Sequence, residues 1–491
     1  MPNTSDKTVQ PFRSERVRSV NQAEFTDIIK KAIETSASAH RNSVVSLTVS
    51  FENTDPLAVL EILGNADLFR YYWEHPEDKL AISAGESICS LQAGEKDRFS
   101  HMSHLVVDYK TRIFEYSSFD HSLAGVHFLG GFSFFDSVSS NAPWSNFGTS
   151  RFVIPRWTFI RDGELSLMTI NQKINEHADA DSVCAQILSE ADFYSSTIES
   201  KTKNSTLNGH TNVRHDINII EDDQARSVWI ENINRAKRLI SGSAFKKIVL
   251  SRRIDLETSG MLSPTAMLNY LRKEYPSCYS FMFQTEDSSC FIGSSPEKLI
   301  SIRKTHVLTE GLAGSISRGN SATQDTILEK KLLSSAKDLE EHNYVVDAIK
   351  ERLSRFSSKV NLPHKPGIKK FTNVQHLYSP ISATIDEHLD PFLILENLHP
   401  TPAVGGFPAN AAVPFIRNLE SYDRGWYASP IGWLNSKGRG EFIVAIRSGV
   451  LSKKSAAFYA GCGIVEDSDP ELEWDETKLK LIPMLSAANH A

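Results

Sequence analysis

The sequence has few cysteines, no long apolar run and no excess of basic charge, and each absence excludes a class of protein. Five of its 491 residues are cysteines, an odd number in which no two stand at CxxC spacing. We therefore expect neither a disulfide framework nor a zinc site, and a reducing compartment fits best. No stretch approaches the roughly 18 uninterrupted apolar residues of a transmembrane helix.

The charge balance and the first residues exclude further classes. The formal net charge is −7 and no dense block of Lys and Arg occurs, so a nucleic-acid partner is not expected. The N-terminal segment is polar and lacks the apolar core of a signal peptide, which predicts a cytoplasmic protein. With 40% hydrophobic and 23% charged residues, the chain has the composition of a globular protein with a sizeable core.

The chain is predicted to have three parts. Residues 1–20 are polar and are expected to form a flexible arm. Residues 21–216 alternate helical and strand patterns and end in a polar segment, 200–216, which is predicted to be a linker. Residues 217–491 carry a denser pattern of strands and helices and are expected to form the catalytic region.

Hairpin signals indicate a large, mostly antiparallel sheet. Asp162-Gly163 separates two apolar, aromatic-rich runs, and His75-Pro76 begins a turn between two more. Apolar spacing predicts helices over 225–240, 263–274 and 325–356, and a last helix beginning near Pro470. Because strands and helices do not alternate strictly, the sequence favours the α+β class.

Two polar residues next to apolar strands are candidates for proton transfer. Lys247 opens the run KIVLSR, and Glu297 follows the run FIGSSP. A lysine is a general base if its surroundings disfavour the charged form, and a glutamic acid can protonate a leaving group. Taken alone, Lys247 is more simply explained as a surface lysine at the start of a strand, and Glu297 as an ordinary glutamate in a turn.

Three acidic residues form a candidate site for a hard cation. Glu341 lies within a predicted helix, and Glu473 and Glu476 lie three residues apart, hence on one face of the last helix. Magnesium prefers such oxygen ligands. A solvated acidic helix face is the alternative explanation.

Arg447 interrupts an apolar strand pattern and needs an anionic partner, either a substrate or an internal carboxylate. Shortly after it, Gly461 and Gly463 offer backbone N–H groups that an anion can approach, although a tight turn explains them as well.

From residue 245 to residue 485 the chain resembles the chorismate-binding enzymes, a family that includes isochorismate, salicylate, anthranilate and aminodeoxychorismate synthases. The resemblance covers about half of the chain, and its motifs occur in the family's order: FKKIVLSR, FIGSSPEKL, EGLAGSISRG, DLEEHNYVV, VQHLYSPI, HPTPAVGGFP, DRGWYASPIGW, EFIVAIRSG, YAGCGIV and SDPELEWDE. It implies the family's fold, in which antiparallel sheets pack as a sandwich with helices outside.

The resemblance also implies a role for each candidate residue. Lys247 matches the base that activates water, and Glu297 matches the acid that assists departure of the C4 hydroxyl. Glu341 and Glu476 match magnesium ligands, with Glu473 in or next to that shell. The residues that match substrate contacts are Arg447, Tyr427, His376, Ala403, Gly314, Ser315, Gly461 and Gly463.

The implied reaction is the magnesium-dependent, reversible conversion of chorismate to isochorismate. Ala403 favours water as the nucleophile, because amine-adding relatives and many salicylate synthases resemble one another in having Thr at this position. No glutaminase partner is expected, and the resemblance implies a monomer in menaquinone or siderophore biosynthesis. The alternatives are a salicylate synthase, which continues to pyruvate elimination, and a non-catalytic chorismate-binding subunit.

Overall fold

The structure is a computed structural model, and it describes residues 19–94, 96–139, 143–204, 216–220, 224–372 and 374–491. Residues 1–18 of the predicted arm and 205–215 of the predicted linker lie outside these ranges. Among the described residues, no helix has both the length and the apolar character needed to cross a membrane. All five cysteines are unpaired.

Eleven α-helices lie within the described residues. In chain order, α1 to α11 are Gln22–Ala39, Pro56–Leu63, Arg98–Lys110, Ala180–Asn204, Ala225–Ser241, Pro264–Glu274, Ala322–Ser334, Ala336–Leu353, Pro391–Leu398, Ala409–Leu419 and Pro470–Ala488. A short 3-10 helix, Pro76–Asp78, forms the turn predicted after His75.

Twenty-one strands accompany them. In chain order, β1 to β21 are Ser43–Phe51, Arg70–His75, Leu80–Gln92, Ile113–Ser117, His127–Phe132, Ser150–Asp162, Leu165–Ile174, Ile217–Ile220, Lys247–Thr258, Tyr279–Gln284, Cys290–Ser295, Lys298–Arg303, His306–Ser317, Val360–Asn361, Gly367–Lys370, Val374–Thr384, Gly406–Phe407, Pro430–Asn435, Gly440–Val444, Ser448–Ser452 and Ser455–Ile464.

The strands form one hydrogen-bonded network in which two long arms diverge at β6, and a shorter branch leads from β6 through β7 and β1 to β4. One arm runs through β3, β2, β10, β11, β20 and β21 to β9, and the other runs through β5, β18, β19, β12 and β13 to β16. Among the described strands, only β1 and β4 pair in parallel. The prediction of an α+β fold with mostly antiparallel sheets is confirmed.

Side chains along the strands point alternately to opposite faces of the sheet, and the two faces border two different hydrophobic cores. On β10, Phe281 and Phe283 face the core between the two arms, whereas Met282 faces a second core. Because successive strand residues point to opposite faces, one apolar strand serves both cores. Helices such as α1, α6 and α11 cover the second core with Phe25, Met267 and Leu481. The sandwich with outer helices, implied by the resemblance, follows from this pattern.

Strands from both sides of the predicted boundary at residue 216 pair with each other. β2 pairs with β10, and β5 pairs with β18. The predicted linker begins too early, because residues 200–204 are the last turn of α4. The division of the chain at this boundary stays a prediction.

The helix predicted over 325–356 is wrong as a single element. Ser335 leaves the helical conformation (φ −75°, ψ 110°), and its side chain accepts a hydrogen bond from the N–H of Asp338. A serine that satisfies a free N–H in this way caps a new helix instead of continuing the old one. As a result α8 begins at Ala336 and places Glu341 in its second turn.

Candidate active site

One cavity of about 340 Å³ lies where β9, β13, β21, α8 and α11 meet, and all thirteen candidate residues line it. They are Lys247, Glu297, Gly314, Ser315, Glu341, His376, Ala403, Tyr427, Arg447, Gly461, Gly463, Glu473 and Glu476. These residues are spread over 230 positions of sequence, from 247 to 476. The volume suits a small-molecule ligand.

Lys247 is the first residue of β9, and its side chain is buried. The ammonium Nζ lies 2.5 Å from Oε1 of Glu341 on α8. Room for it depends on Gly463, since a Cβ at that position would lie 2.5 Å from Cε of Lys247. Gly463 is therefore needed for close packing against the lysine side chain.

Glu297 lies in the turn between β11 and β12, where Ser295 Oγ accepts a hydrogen bond from its N–H. Its side chain is buried, and its one hydrogen-bond donor among the described residues is the hydroxyl of Thr401, at 3.4 Å from Oε1. Burial, followed by the negative charge of Glu310, raises the pKa of Glu297 to about 7. A carboxyl in this state can hold a proton near neutral pH and donate it.

The three candidate cation ligands line the same cavity, and two of them form ion pairs with lysines. Lys247 contacts Glu341, and Lys480 Nζ lies 2.6 Å from Oε1 of Glu476. Burial and the neighbouring Glu476 raise the pKa of Glu473. Within the described ranges, no three acidic, His or Cys side chains converge as they would around a bound metal ion.

Arg447 lies in the bend between β19 and β20, not within a strand as its apolar neighbours predicted. Its φ of 52° is in the left-handed region, which is incompatible with the extended backbone of a strand and therefore interrupts the pairing. Among the described residues, no carboxylate forms an ion pair with its guanidinium, although Glu476 faces it at longer range. The internal ion pair considered as an alternative is therefore not formed.

Tyr427 lies beside Arg447 in the cavity wall. Its ring stacks on Tyr459 with centroids 5.1 Å apart, and burial raises the pKa of its phenol. Its hydroxyl oxygen would lie 3.2 Å from a Cβ at residue 461, so Gly461 lets the phenol approach β21. The phenol thus stays neutral, with its polar atom toward the cavity.

Gly314 forms a β-bulge in β13, in the part of the strand that lines the cavity. Its φ is +73°, and the pairing register with β16 shifts between Ala313 and Ser315. The bulge places Ser315 Oγ 2.6 Å from Nδ1 of His376. Burial, with the positive charge of Arg447 next, lowers the pKa of His376 to about 3, so its ring is neutral.

Comparisons with known proteins agree with this geometry. The family model described as chorismate binding enzyme matches residues 28–489. The chain belongs to the chorismate-binding enzyme family. Isochorismate synthase MenF of Bacillus subtilis is 32% identical over 95% of this chain and 98% of that protein. The salicylate biosynthesis isochorismate synthase of Pseudomonas aeruginosa is 32% identical over 93% of each chain.

The fold of this chorismate-binding enzyme also has a close match among solved structures. The menaquinone-specific isochorismate synthase MenF from Escherichia coli superposes with a TM-score of 0.73, covering 94% of this chain and 100% of that one. The identity is 22%, so this comparison supports the fold alone.

Three basic residues of this chorismate-binding enzyme line the cavity but were not singled out from the sequence. They are Lys337, Arg424 and Lys480. Lys480 follows Glu476 by four residues on α11, a spacing that puts both on one helix face and would have indicated the pair. Lys337 lies in the first turn of α8, a position that depends on the helix break at Ser335.

Arg424 supports the cavity floor from within a buried network. Its guanidinium donates to both oxygens of Glu420, at 2.6 and 2.8 Å, and to the carbonyl oxygens of Val404 and Val249. Glu420 also accepts from the N–H and the hydroxyl of Ser251. Because every charged group here is paired, the network fixes β9 relative to the loop that carries Ala403.

Proposed function

We propose that this chain is an isochorismate synthase, which converts chorismate to isochorismate by adding water at C2 and releasing the C4 hydroxyl. One observation carries the proposal: a buried lysine and a buried carboxyl that holds a proton near neutral pH line the same cavity. Two relatives that match nearly the whole chain have isochorismate synthase in their names. Ala403 in the cavity wall supports water as the nucleophile.

In the proposed reaction, Lys247 reacts as the neutral amine rather than as the ammonium that pairs with Glu341, and it accepts a proton from water while the water oxygen bonds to C2. The two ring double bonds shift, and the C4–O bond breaks as Glu297 donates its proton to the departing hydroxyl. One water enters and one leaves, so the reaction exchanges one hydroxyl for another and is readily reversible. Much of the acceleration is expected from holding the ring between base and acid.

Magnesium fits the donor chemistry of the cavity. Three carboxylates line it. Burial, and then the negative charge of Glu476, raises the pKa of Glu473, and a cation would relieve the second of these effects. We propose Glu341 and Glu476 as ligands, with Glu473 in or beside that shell. When bound, magnesium supplies positive charge to the substrate ring carboxylate and to these glutamates. Without a bound cation, the ammonium groups of Lys247 and Lys480 balance the negative charges of Glu341 and Glu476.

Arg447 and Tyr427 are proposed to hold a substrate carboxylate. The Arg447→Ala variant should raise KM for chorismate by about 30-fold or more with a smaller change in kcat, because losing one partner of a buried charge pair costs about 2–5 kcal/mol. Steady-state kinetics at saturating magnesium measure this. Arg303→Ala removes an exposed arginine at the end of β12 and serves as the control. An unchanged KM in Arg447→Ala would refute the carboxylate role.

The activity is tested by identifying the product made from chorismate and magnesium. Isochorismate in equilibrium with chorismate, separated by chromatography, supports the proposal. Salicylate and pyruvate would instead make the chain a salicylate synthase, and unchanged chorismate with measurable binding would make it a non-catalytic subunit. Excess ammonium should add no amine to the ring, because Ala403 is proposed to select water.

The biological setting is proposed from the same sequence resemblance. We infer a cytoplasmic monomer that works without a glutaminase subunit and supplies isochorismate to menaquinone biosynthesis, with siderophore biosynthesis as the alternative. The full-length similarity to the relative named MenF supports the first of these. Loss of the chain from its host, followed by measurement of menaquinone, tests it.

A further inference from the structure

A second buried glutamate lies beneath the cavity, and the proposed reaction does not use it. Glu310 is on β13, two residues before Leu312, which lines the cavity, so both side chains lie on one face of the strand. The side chain of Glu310 is only 5% exposed. Both of its oxygens lie 3.0 Å from Nζ of Lys369 on β15.

Glu310 also reaches the backbone next to Glu297. Its Oε1 accepts a hydrogen bond from the N–H of Lys298 at 3.2 Å, and Lys298 directly follows Glu297 in the turn before β12. Both carboxyl groups are therefore held at one buried turn, near enough for the negative charge of Glu310 to act on Glu297. When carboxyl groups share a desolvated site, one of them retains a proton, because two adjacent negative charges are costly there.

The surroundings decide which of the two keeps the proton. Glu310 has an ammonium group on both oxygens and a backbone donor, which stabilise its negative charge. Glu297 has one long hydrogen bond from Thr401 and no direct ion pair among the described residues. The charge therefore rests on Glu310, and the proton rests on Glu297.

We propose that Glu310, with Lys369 as its counter-ion, is a positioning residue that keeps the carboxyl of Glu297 protonated before each turnover. This rests on the proposed function, in which Glu297 is the acid. After a turnover Glu297 is ionised and Lys247 carries the extra proton, so one proton must return from the lysine to Glu297 through solvent. The fixed charge of Glu310 favours that return.

Other charged and titratable groups face these two carboxyls from the elements packed around them. They are Lys247 of β9, Tyr279 of β10, Lys298 of β12, Tyr378 of β16 and Lys480 of α11. The positive charges of Lys247 and Lys480 favour the ionised form of Glu297 and so oppose the effect of the negative charge of Glu310. Without Glu310, burial alone would still favour protonated Glu297, and the two lysines would oppose it.

The test is an infrared pH titration of the carboxylic-acid C=O band of Glu297 in the full chain, without substrate. The band is assigned by its loss in Glu297→Gln. In Glu310→Gln, the titration of Glu297 should move to lower pH by about 1 unit, the size expected of a unit charge several ångströms away at protein-interior dielectric values. The control, Glu329→Gln, removes an acid that pairs with Lys370 outside the cavity and should leave the titration unchanged.

An unmoved titration in a folded Glu310→Gln variant would overturn the proposal. If that variant fails to fold, Lys369→Met provides the same test through the counter-ion: the titration must move by more than half a pH unit and return to the parent position in Lys369→Arg. Because no substrate is present, the readout is independent of the proposed reaction. If the protein makes no isochorismate but the titration of Glu297 still shifts in Glu310→Gln, the proposed activity is refuted and the proposed effect of Glu310 on Glu297 stands.

Discussion

Replacing Lys247 with alanine is expected to lower kcat for isochorismate formation by about 10³-fold or more, while chorismate binding stays within a few-fold of the parent. General-base catalysis contributes about 10²–10⁴-fold. Among the described residues, the other lysines that line the cavity are Lys337 of α8 and Lys480 of α11, and neither lies on β9 where it could replace the lost amine. The variant also frees Glu341 from its 2.5 Å contact with the ammonium group. Magnesium binding should therefore be retained.

Chromatographic assay of product and calorimetric titration with chorismate and magnesium measure the two quantities separately. The matched control is Lys246→Ala, which removes the adjacent, exposed lysine whose ammonium lies over the ring of Tyr344. That variant should keep near-parent kcat. Wild-type turnover in Lys247→Ala would mean that another group is the base.

Replacing Glu297 with glutamine should lower kcat by about 10²–10⁴-fold and, at alkaline pH, stabilise the fold. The catalytic loss follows because an amide cannot donate the proton that the C4 hydroxyl needs. The stability gain follows from the pKa of about 7, which is above the value for an unfolded glutamate. Between roughly pH 4.5 and 7 the unfolded chain loses this proton before the folded chain does.

The sign of the pH effect follows directly. The unfolded state binds fewer protons over this range, so parent stability falls as pH rises through it, and above pH 7 folding must bury a charge. Glutamine cannot ionise, so the variant loses this dependence. Its Tm should exceed that of the parent at pH 8 by about 2–5 °C and by less at pH 5.

Thermal unfolding at both pH values, together with product assays, measures these effects. Glu257→Gln is the control, because Glu257 is exposed on β9 and its loss should change neither activity nor the pH dependence of Tm. A Glu297→Gln variant with parent-like kcat would show that the acid is elsewhere. Equal Tm differences at pH 5 and pH 8 would show that Glu297 is ionised in the folded protein.

Local signals in the sequence predicted most of the fold. The hairpin at Asp162-Gly163 and the helix capped by Ser263 occur as predicted, because a turn or a cap depends on a few consecutive residues. The helix break at Ser335 was not predicted, because the apolar spacing continues across it. Its conformation depends on a side-chain cap that competes with the helix and is only weakly visible in the sequence.

The sequence by itself determined which residue types are present and which motifs they form: a lysine opening a strand, a glutamate after a buried strand, one acid within a predicted helix and two acids on one face of the last helix. Only the tertiary structure decided that all thirteen candidates line one cavity, that Lys247 contacts Glu341 and that Glu310 bonds to the backbone beside Glu297. Charge interactions depend on distance and burial, and neither follows from sequence spacing when the partners lie on different strands.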